Sequence, residues 1–489
     1  MKKNFYLFLS LLFVIVAFSG CTGDISEPIQ DNADNNITEE TTLHNETVPE
    51  GYIGIYTVED FDYLRNSSTG QYILMNDIDM SNIDDWDGIN FQGTFDGNNY
   101  EIQNYHFENG FFDTTTNAVI SNINISANIS KTTYVRDDGT WTNGVGVLAN
   151  CITTSYSESA LSKITNIKIK GEIHHTCGTE FGTIAGVVRP GCKTATVTMS
   201  NIVNEAKIIC EGKYYSVVGG VIGAVHQQNS SDEDFPAFEL LNAVNKGNIC
   251  VKSEEADYSG SKIGGILGEG YGDIRSCDNY GQINIDCPIA KDDEENDGYR
   301  ENFICGGIIG ANGYYTKGYT KIVGHGHMAS INSCANYGSI ISDNCEYAGG
   351  IIGYTVKDYD LSDCGNFASI SGVKAGGIQG GGCYLAPLYN CINTGSINGT
   401  NQSGAIICDF FSNAPEPQNC YYLNNGVNCV GVKAAFPNVY SIEENQLADS
   451  SVINLGDNWS IDSNEIKLNS TIENSCTNGY EEIQTFIFD

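Results

Sequence analysis

Positive charge is what this chain has least of: 24 Lys and Arg stand against 61 Asp and Glu, a formal net charge of −37. So acidic a chain is a poor partner for nucleic acid or an anionic membrane surface. Acidity alone names no cationic partner, because surface acidity commonly serves solubility. Several catalytic signatures are missing as well. There is no His-Glu-x-x-His, no Gly-x-Ser-x-Gly and no phosphate-binding loop ending in Lys-Ser/Thr. Those absences remove the usual sequence signals of a zinc peptidase, a serine hydrolase and a nucleotide site. No Cys-x-x-Cys occurs, so a structural zinc or a dithiol redox motif has no foothold. Beyond residue 20, no run is long and apolar enough to span a bilayer.

What is present begins with an export signal. Lys2-Lys3, the apolar run Phe5–Phe18 and Ser19-Gly20-Cys21 read as a lipoprotein-type signal peptide over 1–20. Cys21 is then the expected lipid anchor, although Phe18 stands where Leu is usual. Residues 21–52 are rich in Asn, Asp, Glu and Thr and read as a flexible tether. Eighteen cysteines in an exported chain ordinarily point to disulfides. Here several recur at a core-like repeat position, so mostly buried thiols are expected, with cross-coil disulfides as the alternative.

The body repeats. Taking the second glycine of Gly-Gly-x-x-Gly as marker, the motif recurs at Gly220, Gly265, Gly307, Gly350 and Gly377, with weaker copies at Gly146, Gly186 and Gly404. An Asn-x-Gly/Ala-x-Ile element recurs at Asn204, Asn245, Asn279, Asn336, Asn366 and Asn393. Gly350, Gly377 and Gly404 are spaced by 27 residues, a period that signals stacked units. The unit is rich in Gly, Ile, Val, Asn and Tyr, which favour strands and turns over a helical hairpin. Strand-sized runs such as Lys262–Leu267, Ile274–Cys277 and Gln282–Ile285 predict an all-β, parallel β-solenoid with irregular coils, each about 4.8 Å above the last. Stacking makes a column of Cys277, Cys334, Cys364 and Cys391, and an amide ladder of the repeated Asn.

The expected organisation is a small capping module at 53–115, repeats over 116–430 and a C-terminal capping region over 431–489. In the first, Thr57 caps a short helix within Tyr56–Asn66, Gln71–Met80 is a strand, and Asp96-Gly97-Asn98-Asn99 reads as a hairpin or tight turn. In the last, Ser441 with Glu444 predicts a capping box, and Trp459–Asp462, Ile466–Leu468 and Thr485–Phe488 predict strands. Coil lengths are uneven. Two long loops, Val225–Ala237 and Ala311–Ala329, are expected to leave one side two coils apart, and Pro288–Asn302 to leave elsewhere. Insertions on one side of a solenoid often form its binding face.

Taken in order, IYTVEDFDYLRN (55–66), YILMNDIDM (72–80) and FQGTFDGNNYEIQNYHF (91–107), followed by the two repeated elements, resemble the GLUG-motif surface proteins. These are similar to the N-terminal repeat region of some bacterial immunoglobulin-A-cleaving metallopeptidases. The resemblance covers about residues 53–430. It implies an extracellular, adhesin-like β-solenoid with no catalytic role assigned to the repeats. The unequal repeats and the poor copies near Gly146 and Gly186 depart from the pattern.

Candidate ligand groups are few. Asp77, Asp79, Asn82, Asp84, Asp85 and Asp87 are oxygen-rich and make calcium a candidate ion, without the spacing of an EF-hand. His325 and His327, with His226 in the other long loop, are a weak transition-metal set. Tyr314, Tyr315 and Tyr319 are candidates for stacking on sugar. Polysaccharide enzymes share this architecture and need paired carboxylates or a basic residue on one face. Lys168, Lys170, Arg189, Arg275 and Lys374 are the strand-region bases, with no repeated register joining them to acidic columns. The reading is a lipid-anchored, prokaryotic cell-surface binding protein for a glycan or protein partner, without catalysis. A polysaccharide lyase or hydrolase and a purely structural envelope protein are the rivals.

Overall fold

The computed structural model describes residues 44–132, 144–176, 178–192, 194–212, 216–226, 237–252, 260–287, 303–312, 329–355, 359–382, 387–409, 415–431, 436–447, 449–462 and 465–469. The body is a parallel β-solenoid. One coil serves for all: strands at Lys262–Gly264, Leu267–Glu269, Asp273–Arg275, Asp278–Asn279 and Ile283–Asp286. Each pairs in parallel with its equivalent one coil on, through Lys262↔Ile304, Leu267↔Ile309, Asp273↔Ser330, Asp278↔Ala335 and Ile283↔Ile340. The strands that follow the paired glycines belong to a nine-stranded sheet, 31 others join a second sheet, and the last two form a third.

The chain packs around columns of like residues. Cys277, Cys334, Cys364 and Cys391 stack at 0% exposure, and Cys420 extends the column by one coil. They are free thiols, with burial pushing each of the first four up from the ordinary thiol range. The expected amide ladder is continuous. Asn204 donates to Asn245 at 2.7 Å, Asn245 to Asn279 at 2.8 Å, Asn279 to Asn336 at 2.8 Å, Asn336 to Asn366 at 2.8 Å and Asn366 to Asn393 at 2.7 Å. Each Nδ2 also serves a backbone carbonyl two residues on, such as Gly338 O at 3.0 Å from Asn336. The ladder thereby closes its own corner.

The two repeated sequence elements meet here. A Cβ on Gly220, Gly265, Gly307, Gly350 or Gly377 would fall inside 3.0 Å of the Asn of its own coil, whereas of the weaker copies Gly146 and Gly404 align with the first glycine and Gly186 with the third. The third glycine of the motif lets its strand cross the preceding one closely: at Gly310 a Cβ would meet Ile263 N and O at 2.9 Å. Breaking the ladder in mid-column is therefore expensive. Asn336→Leu strands the amides of Asn279 and Asn366, and is expected to cost about 2 kcal/mol. The check is a shift of the urea midpoint, with an unchanged slope showing that the fold survives.

Several local expectations need correction. Lys262–Leu267 is two strands, because the chain turns at Gly265-Ile266. Gln71–Met80 is likewise two, Gln71–Leu74 and Ile78–Asp79. Asp96–Asn99 is a tight turn but no hairpin. The flanking strands pair with neighbouring coils through Phe95↔Ile120 and Ile102↔Ile125. The turn chemistry was legible: Asp96 Oδ1 accepts from Asn98 N at 2.8 Å, and Asn98 and Asn99 take φ of 50° and 62°. It does not say whether the chain reverses or advances to the next face. Thr57 does precede a helical turn, a 3-10 helix at Val58–Phe61 leading into α-helix at Asp62–Asn66. At the other end Ser441 lies in strand Val439–Ile442, and Glu443 N bonds Gln446 Oε1 at 2.9 Å instead. Trp459–Asp462 and Glu465–Leu468 form an antiparallel pair. Cys21, the tether up to residue 43 and Thr485–Phe488 lie outside the described residues. Among the described residues, no helix is long and apolar enough to cross a membrane.

Candidate functional site

Both long insertions leave from one corner. Ile222–Val225, Leu267–Glu269 and Ile309–Ala311 are consecutive neighbours in the smaller sheet. The strands on which the chain resumes, Ala237–Asn245, Asp273–Arg275 and Ala329–Asn332, are neighbours too. The insertions therefore share a corner, separated by one coil that crosses in three residues. The insertion after Ile283–Asp286 opens at a different corner and rejoins at Ile304. Tyr314, Tyr315, Tyr319, His325 and His327 lie outside the described residues.

A buried layer supports this corner. The strand before the glycines and the strand after them fold face to face, so residues seven apart meet. Tyr347 packs on Tyr354 with ring centroids 4.7 Å apart, and Ile304 clusters with Ala311. In the coil between the insertions the same positions hold Lys262 and Glu269, joined at 2.9 Å with side chains 1% and 2% exposed. Nearer the end, Lys374 Nζ bonds Tyr347 OH and Asp409 Oδ2, both at 2.9 Å, and sits 4.5 Å from the Tyr347 ring centroid. Burial opposes the Lys374 charge, but those two bonds win and hold its pKa above the ordinary lysine value.

At the root of the first insertion, His226 Nε2 lies 3.4 Å from Glu180 Oε1, and Thr179 Oγ1 donates to Glu180 Oε2 at 3.0 Å. Burial works to raise the Glu180 pKa, yet His226 and Thr179 hold it down to about 2. His226 thus has a carboxylate partner on the preceding coil. Behind this pair, His175 is 1% exposed, hydrogen-bonded with Thr132 Oγ1 at 2.8 Å and stacked on Phe181 at 4.8 Å. Its neighbour His174 faces out beside Glu172 at 3.1 Å, as strand alternation requires. Burial lowers the His175 pKa to about 4. The unfolded chain then binds a proton near pH 6.5 that the folded chain refuses, so stability falls as pH drops from 6.5 towards 4. That step is worth about 3 kcal/mol. Urea midpoints across this range should show it in the parent chain and lose it in His175→Leu.

The remaining candidates are absorbed by the scaffold. Asp77 accepts from Glu101 N at 2.8 Å, and Asp79 accepts from Ser81 N at 2.9 Å and Asn104 Nδ2 at 2.8 Å. Those bonds hold the Asp79 pKa below the usual carboxylate range. Among the described residues no three His, Cys, Asp or Glu side chains are grouped to hold a metal ion; Asp84 is no exception. Of the strand-region bases, Lys168 pairs with Glu205 at 2.9 Å, Lys170 with Glu101 at 2.8 Å and Arg275 with Asp273 at 3.0 Å. The repeat does build an aromatic stack, Tyr280–Tyr337–Phe367, at 4.7 and 5.0 Å with planes within 11°. Within the stack the rings turn their faces on each other.

Sequence reasoning missed two features. The seven-residue pairing across the glycines was readable as Lys262-x₆-Glu269. A second corner column of left-handed residues runs through Asn122, Asn166, Asn201, Asn242, Ser276, Ser333, Asp363, Asn390 and Asn419. From Asn201 to Asn390 it lies three residues before the ladder Asn, and its signal is the Asn, Ser or Asp found there.

No protein family and no curated protein matches the chain. Solved structures do, among them the following two. One, from Bacteroides ovatus and named provisionally as an immunoglobulin A1 protease, is 15% identical over 83% of this chain and 88% of that one, with a TM-score of 0.32. The other, named an immunoglobulin A1 protease, is 13% identical over 92% of this chain and 27% of that one, at 0.34. Similarity at that level assigns no activity.

Proposed function

We propose that this chain is a lipid-anchored, cell-surface β-solenoid that presents its two long insertions to a glycan or protein partner and performs no chemistry. One observation carries the reading: both insertions rise from a single corner, and the strands beneath them are bonded rung to rung over a buried layer. Such a support fixes loop roots at little entropic cost on binding. The anchor rests on Ser19-Gly20-Cys21 and the tether composition. Membrane contact is then through the lipid alone.

The test is a glycan array probed with residues 22–489, with and without calcium, and read for both retention and cleavage. Retention of intact glycan that is lost when Ala311–Ala329 is deleted supports the reading. Cleaved glycan replaces it with the polysaccharide-acting enzyme. Silence on the array, together with no capture of a surface protein, leaves a structural envelope role. Metabolic labelling with a palmitate analogue checks the anchor: label should enter the parent chain and be absent from Cys21→Ala.

A further inference from the structure

We propose a second binding site, away from the loop corner, that takes a neutral linear saccharide lying along the coil axis. A polar depression of about 340 Å³ opens over the first four coils. Its floor is one outward column in register: Asp77 beside Glu101, Glu101↔Asn124 and Asn124↔Lys168. Acceptors, an amide and a cation thus succeed one another at a spacing of about 4.8 Å. On the next coil the column turns apolar, Lys168↔Val203 and then Val203↔Val244. The polar stretch is therefore bounded. His44 stacked on Tyr100, with centroids 4.1 Å apart, forms part of the rim.

The bonding already present selects the ligand. Glu101 is paired with Lys170 at 2.8 Å, Lys168 with Glu205 at 2.9 Å, and Asp77 accepts from Glu101 N and Gln103 Nε2. A charged ligand would have to break one of these pairs. A hydroxyl need not: it donates to a carboxylate's spare lone pair and accepts from an ammonium's spare proton, replacing water in both roles. A peptide strand is disfavoured because Asn124 and Lys168 are already paired in the ladder on both sides. Apart from Ile125 the lining is polar, which disfavours an apolar small molecule.

The experiment titrates residues 22–489 with cellohexaose, maltohexaose, chitohexaose and, as the charged control, hexagalacturonate, followed by calorimetry and amide shifts. Saturable binding of at least one neutral probe is expected. Glu101→Gln, which keeps the shape, and Asn124→Leu should each weaken it by about tenfold, the effect of losing a bond to a charged or well-placed group. Melting temperatures report whether either variant merely unfolds. No saturable binding of any neutral probe overturns the proposal, as does binding that both variants leave unchanged. Preference for hexagalacturonate overturns the neutral assignment. Shortening residues 227–236 and 313–328 should leave this binding intact, which separates its failure from failure of the loop-corner reading.

Discussion

Gly307→Ala is expected to leave almost no folded protein. The new Cβ would press on Gly350 O and on Asn336 Cγ, both well inside 3.0 Å. Neither can yield: one is backbone at the tight bend between Tyr347–Gly349 and Ile352–Thr355, and the other belongs to the buried amide ladder. Overpacking a soft core costs about 1–3 kcal/mol, and this rigid site should exceed that range. Soluble yield and far-ultraviolet circular dichroism at low temperature are the readouts. Gly426→Ala is the control, since a Cβ there meets nothing within 4 Å and only the positive φ of 84° opposes it. A Gly307→Ala chain that melts like the parent would mean the glycine and amide columns do not touch.

Lys262→Met is the second large effect. Removing the ammonium takes from buried Glu269 a counter-charge 2.9 Å away, a loss of about 4 kcal/mol. The double variant Lys262→Met/Glu269→Leu should recover most of this, because its neighbours along the column, Val217 and Ala224 below and Ile304 and Ala311 above, are apolar. A double-mutant cycle by urea unfolding measures the coupling. The pair then acts as a registry device in the coil between the insertions and contributes little net stability.

How much of this was legible in the sequence depended on whether a position repeats. The Asn, Cys and paired-glycine columns were readable because each coil restates them, and stacking turns a sequence period into a contact. Positions that vary from coil to coil were harder. Lys262 and Glu269 look like two unrelated charges until the glycine turn brings residues seven apart together. Asp96–Asn99 shows why corners mislead, since Asn and Gly report a left-handed turn and not the strand it leads to. The left-handed column escaped because Asn, Ser and Asp alternate in it, so no single letter recurs. The candidate site was legible as a side of the solenoid, from the excess length of two coils. Its residue-level chemistry, His226 with Glu180 on the preceding coil, depends on a cross-coil contact between unlike residues and left no pattern.

The central claim is that the two insertions form the main binding face, distinct from the saccharide site proposed over the first four coils. The most direct measurement shortens residues 227–236 and 313–328 to brief Gly-Ser links, separately and together, in chain 22–489. Each product is read for melting temperature and for retention on the array or on the captured partner. The account predicts an unchanged melting transition, with retention of every ligand other than the neutral saccharides taken by the first four coils lost in at least the double variant. Full retention of those other ligands by a folded double variant would contradict it, and so would collapse of the fold on shortening either insertion.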